Sequence, residues 1–92
     1  MATKHEALLK VEDNAAAKGI KAGETVTLIG SMGRADGKVV LNEVVSDKWK
    51  EGAGRYIHVT FVNKPSWQLQ AGENLQTQAM QKINIVGGEW LS

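Results

Sequence analysis

A mainly β chain that closes into a small barrel is the fold class these 92 residues predict, and three observations carry it. Apolar residues recur at every second position on both sides of Asp36-Gly37 and again through Arg55–Val62, which is the period of a strand with one buried face. Glycines stand where such runs must bend or reverse. The helix taken from the pattern lies within the first 19 residues.

That helix comes first along the chain. Thr3-Lys4-His5-Glu6 fits a capping box, in which Thr and the Glu three residues on each satisfy a free backbone N–H. Leu8, Val11 and Ala15 follow at helical spacing, Ala15, Ala16 and Ala17 continue it, and Gly19 is a stop. Ala7–Glu12 also reads as a short strand, but the capping box favours a helix with Leu8 and Val11 toward the core. Beyond Lys21-Ala22-Gly23 the period becomes two. Asp36-Gly37 suits the two-residue loop of a hairpin, whose central positions take positive φ. This loop sets Met32 opposite Leu41, Leu28 opposite Val45 and Arg34 opposite Val39, with Leu28, Met32, Val39, Leu41 and Val45 on one face. Ile29, Val40 and Val44 make the other face apolar too, so the hairpin must coil, with Gly30 and Gly33 as bends. Coiling of this kind is what barrel closure requires.

Ser46–Gly54 is polar and punctuated by two glycines, a connecting loop. In Arg55–Val62 the inward set is Ile57, Val59 and Phe61 and the outward set Tyr56, His58 and Thr60. Pro65 interrupts pairing, and Trp67-Gln68-Leu69-Gln70 resumes an extended pattern. Ile20-Lys21-Ala22-Gly23-Glu24-Thr25-Val26 is echoed by Leu69-Gln70-Ala71-Gly72-Glu73-Asn74-Leu75, each a turn feeding a strand. Leu75, Ala79 and Ile83 also fit a helix, and the echo tips residues 73–80 toward extended structure. Lys82–Val86 alternates, and Gly87-Gly88 precedes Glu89-Trp90-Leu91. The sum is a single domain over 1–92: a helical segment over 1–19 and a five-stranded barrel over 20–91.

The order Ala-Gly-Glu-Thr-Val-Thr-Leu-Ile-Gly, Gly-Lys-Val-Val-Leu-Asn, Tyr-Ile-His-Val-Thr-Phe, Ala-Gly-Glu-Asn-Leu-Gln resembles an OB-fold in strand rhythm and glycine placement. SH3-like barrels share that rhythm and stand as the alternative. The resemblance implies a concave sheet face that holds single-stranded nucleic acid by stacking bases on aromatic rings and tracking phosphates with cations.

Residues of those types are present. Tyr56 and His58 are placed outward, Trp49 lies between Lys48 and Lys50, and Trp67 stands beside a loop. The area an indole buries makes rim packing the competing role of Trp67 and Trp90. Arg34 and Lys38 flank the expected hairpin tip, and Arg55 and Lys64 lie near the same face. The nucleic-acid contact set is therefore Arg34, Lys38, Trp49, Lys50, Arg55, Tyr56, His58, Lys64 and Trp67. A net charge of +1, from 11 basic and 10 acidic residues, gives the whole molecule no strong positive field, so binding rests on local arrangement and is salt-sensitive.

Chemistry is harder to build. The chain has no cysteine, and its two histidines have no metal-site or catalytic-relay spacing. Gly30–Gly37 is glycine-rich but lacks the Gly-Lys-Ser/Thr ending and following helix of a phosphate loop. The expectation is a non-enzyme without cofactor or metal. The absence of cysteine and of a long apolar run makes a soluble, cytoplasmic chain without membrane contact the simpler reading. Two functions follow as expectations: binding of single-stranded DNA or RNA, or a small interaction module, accessory or virus-encoded, that docks on a larger protein partner. The second uses Ile29, Val40 and Val44 with an open sheet edge, and a homodimer would follow from it.

Overall fold

The computed structural model describes residues 5–12, 14–31, 33–43, 55–63, 69 and 71–91. Among the described residues six strands, β1 (His5–Val11), β2 (Thr25–Gly30), β3 (Gly33–Glu43), β4 (Arg55–Phe61), β5 (Asn74–Gln76) and β6 (Lys82–Trp90), enclose one core, with one short helix, α1 (Ala15–Lys18), between β1 and β2. They form a closed barrel in the order β1-β4-β3-β2-β5-β6, every ladder antiparallel. Strands β2, β3 and β4 are successive neighbours and β5 returns beside β2, the Greek-key connection.

The barrel class agrees with the strand rhythm; the strand count differs at the N-terminus. His5–Val11 is a strand, paired on one side with β4 (Leu9↔Ile57) and on the other with β6 (Ala7↔Trp90). Its periodicity is obscured because Leu8, on the outer face, is buried as are Ala7 and Leu9. The helix is one turn long and begins later, where Asn14 is the N-cap and its Oδ1 accepts the Ala17 N–H at 2.9 Å.

The hairpin register also differs. The chain reverses between Gly30 and Gly33, which pair with each other, and Asp36 and Gly37 lie inside β3 opposite Thr27 and Val26. Gly37 serves space, not turn geometry. A Cβ there would stand 2.6 Å from Val59 Cγ1 and 2.7 Å from Phe61 Cε1, so the Phe61 ring occupies the volume a side chain would need. A bulge between Val39 and Leu41 then turns the strand over. Val39 faces the core, whereas Leu41, expected on the same face, is 50% exposed.

Leu9, Val11, Val26, Leu28, Val39, Ile57, Val59, Phe61, Leu75, Ile83 and Ile85 fill the interior. One end is stopped by the α1 segment, whose Ala17 and Ile20 are buried. Asn42 Nδ2 donates to the carbonyls of Ala17 (2.9 Å) and Ile20 (2.8 Å), so a β3 side chain holds the segment in place. Trp90 packs against the core edge-on to Phe61, with ring centroids 5.5 Å apart, which is the rim role weighed for it above. The echoed turns both feed strands, with Gly23 at φ +91° and Gly72 at φ +101°.

Candidate nucleic-acid interface

Strand parity sorts the expected contact residues onto the two walls of the barrel. Tyr56 shares the outward parity of His58 and Thr60, but it is only 1% exposed, and Leu8, opposite His58 on the same face, is 9% exposed. A ring so covered cannot stack on a base, so Tyr56 leaves the contact set. Arg55 takes the inward parity, opposite buried Val11, and its Nη1 donates to Asn42 Oδ1 at 3.0 Å. It belongs to the polar stopper beneath α1 and not to an outer face. Half-buried His58 lies 3.1 Å from Glu6 Oε1 through Nε2, across the β1–β4 seam. Trp49, Lys50, Lys64 and Trp67 lie outside the described residues.

Arg34 and Lys38 remain, both exposed on the outer side of β3. The registers show what surrounds them. Arg34 opposes Ile29, Ile29 opposes Asn74, and Asn74 opposes Asn84, one row across four strands. The next row runs Asp36, Thr27, Gln76 and Lys82. Thr25 and Lys38 begin a third. With strands about 4.8 Å apart, each full row spans roughly 14 Å. These rows wrap half of the closed barrel and, among the described residues, carry Arg34 and Lys38 on β3 and Lys82 on the opposite strand β6, with amide and hydroxyl side chains and Ile29 between them. The one acid in these rows among the described residues, Asp36, accepts a hydrogen bond from Thr27 Oγ1 at 2.8 Å.

Beside Lys38 the wall dips into a groove of about 310 Å³ lined by Thr25, Asp36, Gly37, Lys38, Thr60, Phe61 and Val62. That volume is at the small end for ligand sites, enough for one planar ring system. Gly37, Phe61 and Val62 contribute its apolar lining, and Lys38, Asp36, Thr25 and Thr60 its polar lining.

Sequence reasoning missed Asn74, Gln76, Lys82 and Asn84. The echo that moved residues 73–80 toward extended structure was the available signal, because alternation from buried Leu75 and Ile83 sends their neighbours outward. Among the described residues no three His, Asp or Glu side chains cluster as a metal site, and no helix is long and apolar enough to cross a membrane. No protein-family model, curated protein or solved structure matches the chain.

Proposed function

We propose that the chain is a non-catalytic binding domain for single-stranded nucleic acid, gripped along the outer wall of β3, β2, β5 and β6. The observation that supports this reading is the outer face of β3, with exposed Arg34 and Lys38 and the groove opening beside Lys38, from which the amide rows lead round β2 and β5 to Lys82 on β6, so that a bound strand would wrap half of the barrel. Cations track phosphates, and the amides of Asn74, Gln76 and Asn84 pair with sugar or base edges. No aromatic ring lies on this wall among the described residues, so electrostatic and amide contacts dominate, with the groove admitting one base.

Three phosphate contacts give a log K against log salt slope of about −2 for a single strand, or roughly a fifteen-fold loss between 50 and 200 mM salt. Fluorescence anisotropy with short DNA and RNA oligonucleotides measures this. Reversing Arg34, Lys38 or Lys82 to Glu should weaken binding and flatten the slope, each by a similar amount. No binding at 50 mM salt, or binding indifferent to all three reversals, refutes the proposal.

A second reading, docking on a protein partner or a homodimer contact, has one observation in its favour: Val40 and Leu41 are 45% and 50% exposed on neighbouring positions of β3. The closed barrel removes the open edge that reading had counted on. Mass measurement at high concentration, with Leu41→Lys as the variant, tests it; a strictly monomeric chain that captures no partner ends it.

A further inference from the structure

The strand order of this barrel is unchanged when β1 is exchanged with β4, β2 with β5 and β3 with β6. That permutation is demanding, and the registers obey it through the middle of the β1–β4 ladder, over four pairs of the β3–β4 and β1–β6 ladders and over all three β5–β6 pairs, while Gly37↔Phe61, Lys38↔Thr60, Leu28↔Leu75 and Ile29↔Asn74 have no counterpart. Let Leu9 correspond to Ile57, Thr27 to Gln76 and Val39 to Ile85. The pair Val39↔Val59 then maps onto Ile85↔Val11, Leu41↔His58 onto Gly87↔Lys10, and Asn42↔Ile57 onto Gly88↔Leu9, all of them observed. In the hairpins, Val26↔Gly37 maps onto Leu75↔Ile83 and Thr25↔Lys38 onto Asn74↔Asn84. The bulge at Val40 maps onto the bulge at Val86, and both valines are 45% exposed.

Details with no reason to agree by chance agree as well. The Val39 N–H donates to the Glu24 carbonyl at 2.9 Å, and the Ile85 N–H donates to the Glu73 carbonyl at 2.9 Å. The glycines preceding those glutamates, Gly23 and Gly72, both take positive φ. Ile20 and Leu69, which open the two echoed segments, are both buried. Two contacts map onto themselves, Leu9↔Ile57 in the β1–β4 seam and Thr27↔Gln76 in the β2–β5 seam. A twofold axis passes through both.

We infer that the barrel is a fused dimer: β1-α1-β2-β3 and β4-β5-β6 are two copies of one unit meeting across an isologous interface, and a second copy of this chain can supply either unit. Each unit alone is one hairpin, β2–β3 or β5–β6, and one strand, β1 or β4, with no partner inside its own unit; both edges of β1 and β4 and the outer edges of the two hairpins are paired only by the other unit. A twofold interface within one chain has the geometry of a homodimer interface. Covalent linkage favours the internal partner through an effective concentration in the millimolar range. Exchange between chains therefore belongs to folding at comparable protein concentration.

The chain has no cysteine, so a bridge introduced at the seam reports unambiguously. Full-length Thr27→Cys and Gln76→Cys chains, one of them isotope-labelled, are mixed in denaturant, refolded together at millimolar concentration, oxidised and read by intact mass. The doubly substituted chain, refolded dilute, should close an internal bridge, because residues directly opposite on antiparallel strands have Cβ atoms about 5 Å apart. The expected result in the mixture is hetero-linked dimer well above the statistical ratio to the homo-linked species. A statistical ratio, or no linked dimer, while the doubly substituted chain bridges internally, overturns the exchange. Failure of the internal bridge overturns the seam register and the inference with it.

Discussion

Gly37→Ala is the perturbation on which the barrel interior is most exposed to test. The added methyl would lie 2.6 Å from Val59 Cγ1 and 2.7 Å from Phe61 Cε1, about 1 Å inside the optimal carbon–carbon separation. Both neighbours are fully buried and cannot swing into solvent. Overpacking of this kind costs ~1–3 kcal/mol, whereas Gly→Ala alone gains ~0.4–1 kcal/mol by restricting the unfolded chain. The net expectation is a loss of about 1–2 kcal/mol, or a fall in Tm on the order of 5–15 °C for a domain of this size. Urea midpoints and thermal melts measure it. Combining Gly37→Ala with Val59→Ala should recover part of the loss relative to Val59→Ala alone, the coupling expected of residues in contact. Gly37→Asn separates the steric account from a turn account. Asn tolerates the left-handed conformation of a turn, but inside the barrel it should cost more than Ala. Near-neutral Asn with destabilising Ala would refute the placement of Gly37 against Phe61.

Further outcomes follow from the same structure. Tyr56→Ala should lower stability by about 3–5 kcal/mol, as a buried aromatic truncation does, so that any loss of oligonucleotide binding tracks unfolding in denaturant titrations. Asn42→Ala removes the donor to the Ala17 and Ile20 carbonyls and the acceptor for Arg55; a cost of about 1–3 kcal/mol, with faster amide exchange at Lys18 and Gly19, is expected. Asn14→Ala, which loses the cap on Ala17, should cost ~1 kcal/mol. Met80 holds φ at 65° in the β5–β6 turn and is 72% exposed; Met80→Asn, better suited to that region, should raise the urea midpoint slightly.

How much of this was legible in the residues depends on whether one face or two are covered. In β4, the inward set Ile57, Val59 and Phe61 was read correctly because inward positions are closed and most outward ones are not. In β1 three consecutive residues, Ala7, Leu8 and Leu9, are buried, so alternation is lost and the local helix signal prevails on paper. Barrel closure, a contact between the first and last strands, overrides that local preference. Asp36-Gly37 misled for a related reason: glycine marks both positive φ and close approach, and only Phe61, distant in sequence, distinguishes them. Arg34 and Lys38 are legible in the sequence only as flanks of an Asp36-Gly37 tip that the structure puts inside β3, and the rows that lead from them to Asn74 and Lys82 depend on β2–β5 pairing, invisible to a short window. Tyr56 shows the limit of parity, which gives a direction without saying what lies there.

The closing ladder joins β1 to β6, and the Leu91 N–H reaches the Glu6 carbonyl at 2.7 Å. During synthesis the opening strand therefore leaves the ribosome long before its final neighbour has been made, and one margin stays bare for most of translation. Margins of that kind invite pairing with other nascent chains. Slow synthesis of Lys82–Trp90 would prolong that vulnerable interval, whereas rapid synthesis of the same strand would shorten it.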